Sequence, residues 1–341
     1  MARIAFVTTV SQSWRGERVL VTGAGGFIGS HLTETLAARG AKVRALVRYN
    51  GRNDWGHLEA LDPALKKNVE VVSGDVRDPR QTAEAVSGCS TVFHLAALIA
   101  IPYSYHAPQS FVDVNVTGTL NILEACREAR VKRLVHTSTS EVYGTARYAP
   151  IDEEHPLQGQ SPYSASKIAA DKIVESYHRS FGLPAVTVRP FNTYGPRQSA
   201  RAVIPAVLCQ LLSGKKTLAV GSLEPVRDFN YVADTVEGFL AAARAPKAVG
   251  EVLNIGAGRG VTIGRTVELL MKLSGRKAAL RQDARRVRPA KSEVFKLLCD
   301  NRKAAKLAGW KPKFSLEEGL VRTIEHVRAN LESYKSDLYN L

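Results

Sequence analysis

Arg18-Val-Leu-Val-Thr22-Gly23-Ala-Gly-Gly26-Phe27-Ile28-Gly29 passes from an apolar, β-branched run straight into a glycine-rich turn. Residues 18–23 read as a buried parallel strand, and residues 27–39 as an amphipathic helix ending at Gly40. Between them, Gly23 permits a tight turn, Gly26 lets backbone amides approach a pyrophosphate, and Gly29 lets the helix pack closely on the sheet. A glycine pattern alone is a weak signal, but a strand before it and a helix after it make it specific for a dinucleotide.

Outward from this unit, short β-branched runs recur at Val43–Val47, Val69–Ser73, Thr91–Leu95, Leu134–Ser138 and Ala185–Arg189. Helical stretches separate them, notably Val116–Ala129 and Ala165–Phe181. Strand alternating with helix predicts an α/β fold, a Rossmann-type doubly wound parallel sheet with right-handed crossovers. After Arg189 the pattern becomes irregular and richer in Gly and Pro, as expected of a smaller mixed α/β substrate domain capping the carboxyl edge of the strands. The expected division is an extension over residues 1–17, a dinucleotide-binding domain over 18–191 plus about 228–256, and a discontinuous substrate domain over 192–227 and 257–341. Glu251–Ile255 is the strand that returns to the first domain.

With 341 residues, 45% hydrophobic and 23% charged, the chain can bury a full core. It contains no apolar run of about 18 residues and no recognisable leader, so a cytoplasmic protein without membrane partners is expected. Cys89, Cys126, Cys209 and Cys299 lack metal spacing and read as buried free thiols, so no metal is expected. The net charge of +15 raises nucleic-acid binding. The basic residues are spread along the chain, however, apart from clusters such as Arg285-Arg286-Val-Arg288, and no nucleic-acid motif accompanies them. An enzyme that concentrates anionic nucleotide substrates accounts for the charge equally well.

The second strand ends in Arg48-Tyr49-Asn50, where an NAD site normally places an acid for the ribose. Arg48 suits a 2′-phosphate instead, so NADP is favoured over NAD, the alternative being a solvated loop arginine. Asp75 and Val76, after the third strand, are placed near the adenine, although Gly74-Asp75 is also a common turn pair.

Tyr163 and Lys167 stand four residues apart on one predicted helix face. A neighbouring ammonium favours the phenolate, so this tyrosine can act as a base toward a substrate hydroxyl. Upstream lies Thr139-Ser140-Glu141. Hydride chemistry at a carbinol has no use for the carboxylate of Glu141, which points to removal of a carbon-bound proton as well.

Taken together, TGAGGFIG, His94-Leu95-Ala96-Ala97, Ser138-Thr-Ser-Glu-Val-Tyr-Gly144, Tyr163-x3-Lys167, Arg189-Pro190-Phe-Asn192-x-Tyr-Gly-Pro196 and Arg227-Asp-Phe229 resemble the extended short-chain dehydrogenases/reductases over about residues 18–330. Within them the Thr-Ser-Glu run resembles the nucleotide-sugar 4,6-dehydratases. The segments Tyr49-Asn50, Ala97–Tyr105 and Asn192–Arg201 are similar to the GDP-N-acetylglucosamine 4,6-dehydratases of legionaminic acid biosynthesis.

The resemblance implies cofactor contacts from Gly23, Gly26, Phe27, Ile28, Gly29, Arg48, Asp75, Val76, Leu95, Ala96, Ala97, Tyr163, Lys167 and Pro190. It implies substrate contacts from Ser104, Tyr105, Asn192, Arg197, Arg227 and Arg288, the arginines offering forked donors to phosphate. Tyr163, with Thr139, would take the proton of the sugar C4 hydroxyl while hydride passes to the nicotinamide; Glu141 would remove the C5 proton, water would leave from C6, and the hydride would return to C6. The dTDP-glucose members carry Asp where this chain has Ser140, so Glu141 would handle both proton transfers or Ser140 would relay one. UDP-glucuronate decarboxylases share the Thr-Ser-Glu run, UDP-sugar 4-epimerases share the fold, and a non-catalytic cofactor-sensing scaffold is the reading from a different class. A homodimer formed through Val116–Ala129 and Ser164–Phe181 is also implied, in line with the commonest symmetry.

Overall fold

The computed structural model describes residues 13–286, 289 and 292–334. Among the described residues there are twelve strands: β1 (Arg18–Thr22), β2 (Lys42–Arg48), β3 (Val69–Gly74), β4 (Thr91–His94), β5 (Arg133–Thr137), β6 (Ala185–Pro190), β7 (Asn192–Tyr194), β8 (Thr217–Val220), β9 (Val226–Tyr231), β10 (Val252–Ile255), β11 (Gly260–Thr262) and β12 (Ala279–Gln282). Seven form one sheet in the order β10-β6-β5-β4-β1-β2-β3, and every pairing in it is parallel. The expected doubly wound parallel sheet is therefore present. The strand read from Glu251–Ile255 is β10, which lies beside β6 at the sheet edge.

The remaining strands make two small sheets, β11-β9-β7 and β12-β8. Helices Val203–Leu212, Ile263–Ser274 and Leu316–Ala329 pack together around them. Apolar residues of this half, among them Leu208, Leu270 and Leu320, are continuous with the core beneath β1 and β2, so the two halves share one buried cluster. No helix among the described residues is long and apolar enough to cross a membrane. All four cysteines are free and buried.

Two helices depart in detail from the sequence reading. The helix expected over Val116–Ala129 is regular only over Gly118–Glu128 and is entered through a π-helical segment, Val112–Thr117. Such wide turns cluster at functional sites, and here Asn115 occupies it. The helix expected from Ala165 begins at Pro162, where Ser161 and Ser164 form a capping box and proline occupies the first turn.

Residues 13–17, assigned to an extension of unknown role, are packed under the sheet. Trp14 is 1% exposed, stacks against Phe93, and carries the Arg244 guanidinium 3.7 Å above its ring. Arg244 also pairs with Glu17, and Gly16 and Lys42 bond the neighbouring backbone at Gly40 and Glu17. Trp14→Ala should leave a large cavity and cost about 3–5 kcal/mol. A urea-unfolding midpoint equal to that of the unmodified protein would contradict this.

Candidate active site

Because β1 and β4 are neighbours whose onward connections leave toward opposite flanks, the crevice at their carboxyl ends is where a ligand binds in this architecture. Thr22 closes the seam. Its hydroxyl accepts hydrogen bonds from the Leu95 and Ala96 amides at 3.1 and 3.0 Å and lies 2.9 Å from His94 Nδ1. Gly23 follows with φ of 68°, and a Cβ there would stand 2.9 Å from the Ala96 nitrogen. At Gly29 an added Cβ would meet the Gly23 carbonyl at 2.2 Å, so the helix can start only this close to the turn without a side chain.

The helix Phe27–Ala38 begins at Gly26 with no side-chain cap and no acidic residue in its first turn. Its first amides are therefore left for an external acceptor, with the positive end of the helix dipole behind them. These features fit a dinucleotide pyrophosphate. Residues that the sequence reading did not single out complete the cradle: the Trp55 carbonyl crosses Gly25, and the His57 amide bonds the Gly25 carbonyl at 3.0 Å.

Beyond the end of β3, Val76 is buried and touches Gly118, where a Cβ would meet it at 2.7 Å. The Asp75 carboxylate is gripped by Arg77 at 2.6 Å, and the hydrogen bonds from Arg77 hold its pKa below the ordinary range. Arg48 is exposed at the end of β2, close enough for its charge to act on Asp75.

Tyr163 and Lys167, 7% and 3% exposed, lie on the helix Pro162–Phe181. Thr139 caps the short turn Ser140–Tyr143 by accepting the Glu141 amide at 3.2 Å. The same hydroxyl hydrogen-bonds Tyr163, so one oxygen fixes both the turn that carries Glu141 and the phenol. Ser140 is buried on that turn.

The sequence reading expected Lys167 to favour the phenolate. In the protein, burial instead pushes the Tyr163 phenol up, the Thr139 hydrogen bond opposes this, and the negative charges of Glu141 and Asp171 add to it. Burial lowers Lys167 to about 8. Over Tyr163 sit Phe111, with ring centroids 6.2 Å apart, and Ile101. Asn115, which the sequence reading missed, holds the Leu98 amide and carbonyl at 2.9 and 3.0 Å and the Ser166 hydroxyl at 2.9 Å, tying the loop after β4 to the helix of Tyr163.

The substrate candidates are more scattered. Pro190 ends β6, and Asn192 opens β7 with a buried Oδ1 that has no hydrogen-bond partner. Arg227 is buried and contacts Glu293 at 3.1 Å. Tyr105 meets the Ser292 hydroxyl at 2.5 Å, bridging the short helix Ile101–His106 that follows β4 to the C-terminal half. The Ser104 hydroxyl bonds the Ile101 carbonyl within its own helix, and Arg197 turns to Glu34 at 2.7 Å. Ala97 lies in the loop that follows β4, and Arg288 lies outside the described residues. Arg285 and Arg286, from the same basic cluster, face Asp283.

Residues 20–323 match the family model described as GDP-mannose 4,6 dehydratase. The chain belongs to this family. It is 34% identical to a UDP-glucose 4-epimerase of Mycolicibacterium smegmatis over 91% of its length and 98% of the relative. It is 32% identical to the dTDP-D-glucose 4,6-dehydratase of Mus musculus, covering 94% of this chain and 91% of that one. Its fold superposes on a dTDP-glucose 4,6-dehydratase from Streptomyces venezuelae solved with NAD bound, with a TM-score of 0.84, 31% identity, and coverage of 93% and 99% of the two chains. The fold and site thus belong to extended short-chain dehydrogenases/reductases that act on nucleotide sugars, among which dehydratases and epimerases both occur.

The low pKa of Lys167 has a measurable consequence. Its ammonium is present below about 8 and lost above it, so turnover should fall on an alkaline limb near that pH. A pH profile of kcat/KM that stays flat to pH 10 would contradict the assignment.

Proposed function

We propose that this protein is a nucleotide-sugar 4,6-dehydratase that converts GDP- or UDP-N-acetylglucosamine into the 4-keto-6-deoxy sugar. The observation that carries the reading is Glu141 on a turn capped by Thr139, whose hydroxyl also reaches Tyr163, so that a carboxylate acts at close range on the phenol. A 4-epimerase, the activity named for one relative, requires no base beside the tyrosine.

Tyr163 would take the proton of the sugar C4 hydroxyl as its phenolate, a form that burial disfavours and the Thr139 hydrogen bond favours. A nicotinamide bound across the β1–β4 crevice supplies the hydride acceptor at C4 and later the donor to C6, so the overall reaction is loss of one water without net redox. The 4-ketone acidifies C5, and Glu141 removes that proton. The C6 hydroxyl leaves as water with a proton delivered by the protonated Glu141 or relayed through Ser140, and as hydride returns to C6 the C5 carbon takes up one proton, which balances the one Tyr163 took from the C4 hydroxyl. Asn192 and Arg227 would meet the nucleotide diphosphate, with rotation of the Asn192 amide turning a donor toward a phosphate oxygen; the buried Asn192 Oδ1 without a hydrogen-bond partner supports this for Asn192. In place of the acid usual for NAD, Arg48 at the end of β2 supports NADP. The helices Gly118–Glu128 and Pro162–Phe181, with Leu120 38% and Phe181 57% exposed, would form the interface of a homodimer.

Incubation with GDP- and UDP-N-acetylglucosamine should give a product one water lighter by mass spectrometry. An isomer of unchanged mass would identify an epimerase, and a pentose made from UDP-glucuronate would identify a decarboxylase. Glu141→Gln should slow both water loss and C5 exchange in deuterated solvent by about 10²–10⁴-fold; exchange at the unmodified rate would remove Glu141 from the mechanism.

Cofactor choice is tested separately. Arg48→Asp should shift preference from NADP toward NAD in the ratio of the two dissociation constants, and an unchanged ratio would sink the role of Arg48.

A further inference from the structure

The loop after β7 belongs to the half of the molecule that carries the two small sheets, yet it grips the first helix, Phe27–Ala38. Gly195-Pro196-Arg197-Gln198 closes a tight turn there, the Gln198 amide bonding the Gly195 carbonyl at 3.3 Å. Arg197 occupies the third position of the turn with φ of 70°, in the left-handed region. Glycine or asparagine ordinarily fills that position, so an arginine in it is strained. The turn has supports besides the arginine side chain. Gln198 Nε2 donates to the Thr193 carbonyl at 2.8 Å, and the Tyr334 hydroxyl donates to the Gln198 carbonyl at 3.3 Å.

The Arg197 guanidinium is spent on the helix. Its Nη2 donates to Glu34 Oε2 at 2.7 Å and its Nη1 to the Ser30 hydroxyl at 3.4 Å. With side chains only 14% and 21% exposed, the Arg197–Glu34 pair is better shielded from water than a surface ion pair. Ser30 in turn donates to the Phe27 carbonyl at 3.0 Å, so the hold of the arginine passes to the residue that opens the helix. Beside them, His31 Nε2 donates to the Pro196 carbonyl at 3.0 Å, and the His31 ring meets Phe27 edge-on at 6.0 Å. Burial, helped by the charge of Arg197, keeps this ring neutral by lowering its pKa to about 3.

We propose that Arg197 is a positioning residue for the cofactor, fixing through Ser30 and Glu34 the helix whose uncapped first amides meet the dinucleotide pyrophosphate. The inference rests on the assignment of the β1–β4 crevice to a nicotinamide dinucleotide and goes beyond the sugar chemistry. The first turn of the helix has neither a side-chain cap nor an acid, so its orientation alone aims the amides. A tilted helix would withdraw them from the phosphate oxygens, since such bonds weaken steeply with angle. Retention matters in a reaction without net redox, because the hydride taken from a sugar must return to the same sugar. A strained arginine therefore stands where glycine would make the turn more easily. Its place also corrects the sequence reading, which put Arg197 at the substrate: both of its terminal nitrogens are engaged by the cofactor helix.

The test follows release of bound NADPH, and in a second series of NADH, from the full chain, as loss of nicotinamide fluorescence after a chase with excess oxidised cofactor. Arg197→Gly removes the side chain and keeps the turn, because glycine accepts its left-handed backbone. It should speed release by about tenfold or more. Glu34→Gln should do the same, and the double variant should release cofactor no faster than either single change, as members of one pair require. In Glu34→Gln the cofactor concentration for half-maximal turnover should rise by the factor seen in release, while kcat at saturating cofactor stays within about twofold. A fall in kcat with unchanged cofactor dependence overturns the proposal, as does release from Arg197→Gly at the unmodified rate. Additive effects of the two changes overturn it as well. If Arg197→Gly does not fold, an unmodified release rate in Glu34→Gln overturns it, and failure of both variants to fold assigns the pair to the fold alone. Faster release from a protein that dehydrates no sugar nucleotide would uphold the positioning of the cofactor and remove the function proposed above.

Discussion

The hydroxyl of Thr22 is the contact on which the site depends. It holds the ends of β1 and β4 together at the point where their connections part, accepting the amides of the two residues that follow β4 and meeting the His94 ring. Amides in this position would otherwise be buried or left to solvent, and an unmade bond here costs about 1–3 kcal/mol. With the seam fixed, Gly23 can lie against the Ala96 backbone, and the helix at Phe27 presents its open amides into the crevice. His94 passes the constraint on, since its Nε2 lies 3.1 Å from the Thr119 hydroxyl on the helix that continues from the π-helical turn. The two walls of the cofactor cleft are thereby set by one side chain and its histidine neighbour.

A second constraint runs through the buried charges. Taking Lys167, Asp171 and Arg189 out of water is unfavourable, and hydrophobic replacements of similar volume are often neutral or stabilising. Stability therefore does not explain their presence. What they achieve is geometry: Asp171 joins the helix of Tyr163 to Ser138 just beyond β5 and to Arg189 on β6, so the helix cannot slide relative to the sheet. The distances that matter to chemistry at Tyr163 and Glu141 are then fixed from below, while Thr139 fixes them from above.

The parallel sheet and its cofactor turn were legible because their signals are local. Gly23 and Gly29 carry backbone requirements that a residue with a side chain does not meet, and β-branched runs mark every strand of the large sheet up to β6. That Tyr163 and Lys167 share one helix was legible for the same reason, being an i, i+4 relation. Asn115, Trp55 and Asp171 were not, because each acts across a long sequence separation: Asn115 on Leu98, the Trp55 carbonyl on Gly25, and Asp171 on His136 and Arg189. The electrostatics of Tyr163 also escaped a pairwise reading. Burial dominates its titration, and the sequence shows neither how deep the phenol lies nor that two carboxylates face it.

The family contains enzymes that invert C4 and enzymes that eliminate water, and the shared fold explains why both are possible. Under the proposed reaction, oxidation at C4 is followed by a competition between removal of the C5 proton and return of the hydride. Glu141, whose amide bonds the same threonine hydroxyl that reaches the tyrosine, is the base proposed to win it. In the same proposed reaction Ser140 is the neighbour through which the second proton transfer would pass. A buried serine cannot supply a proton of its own, but one fixed beside a glutamate that has just accepted one can pass it the short distance to a leaving hydroxyl.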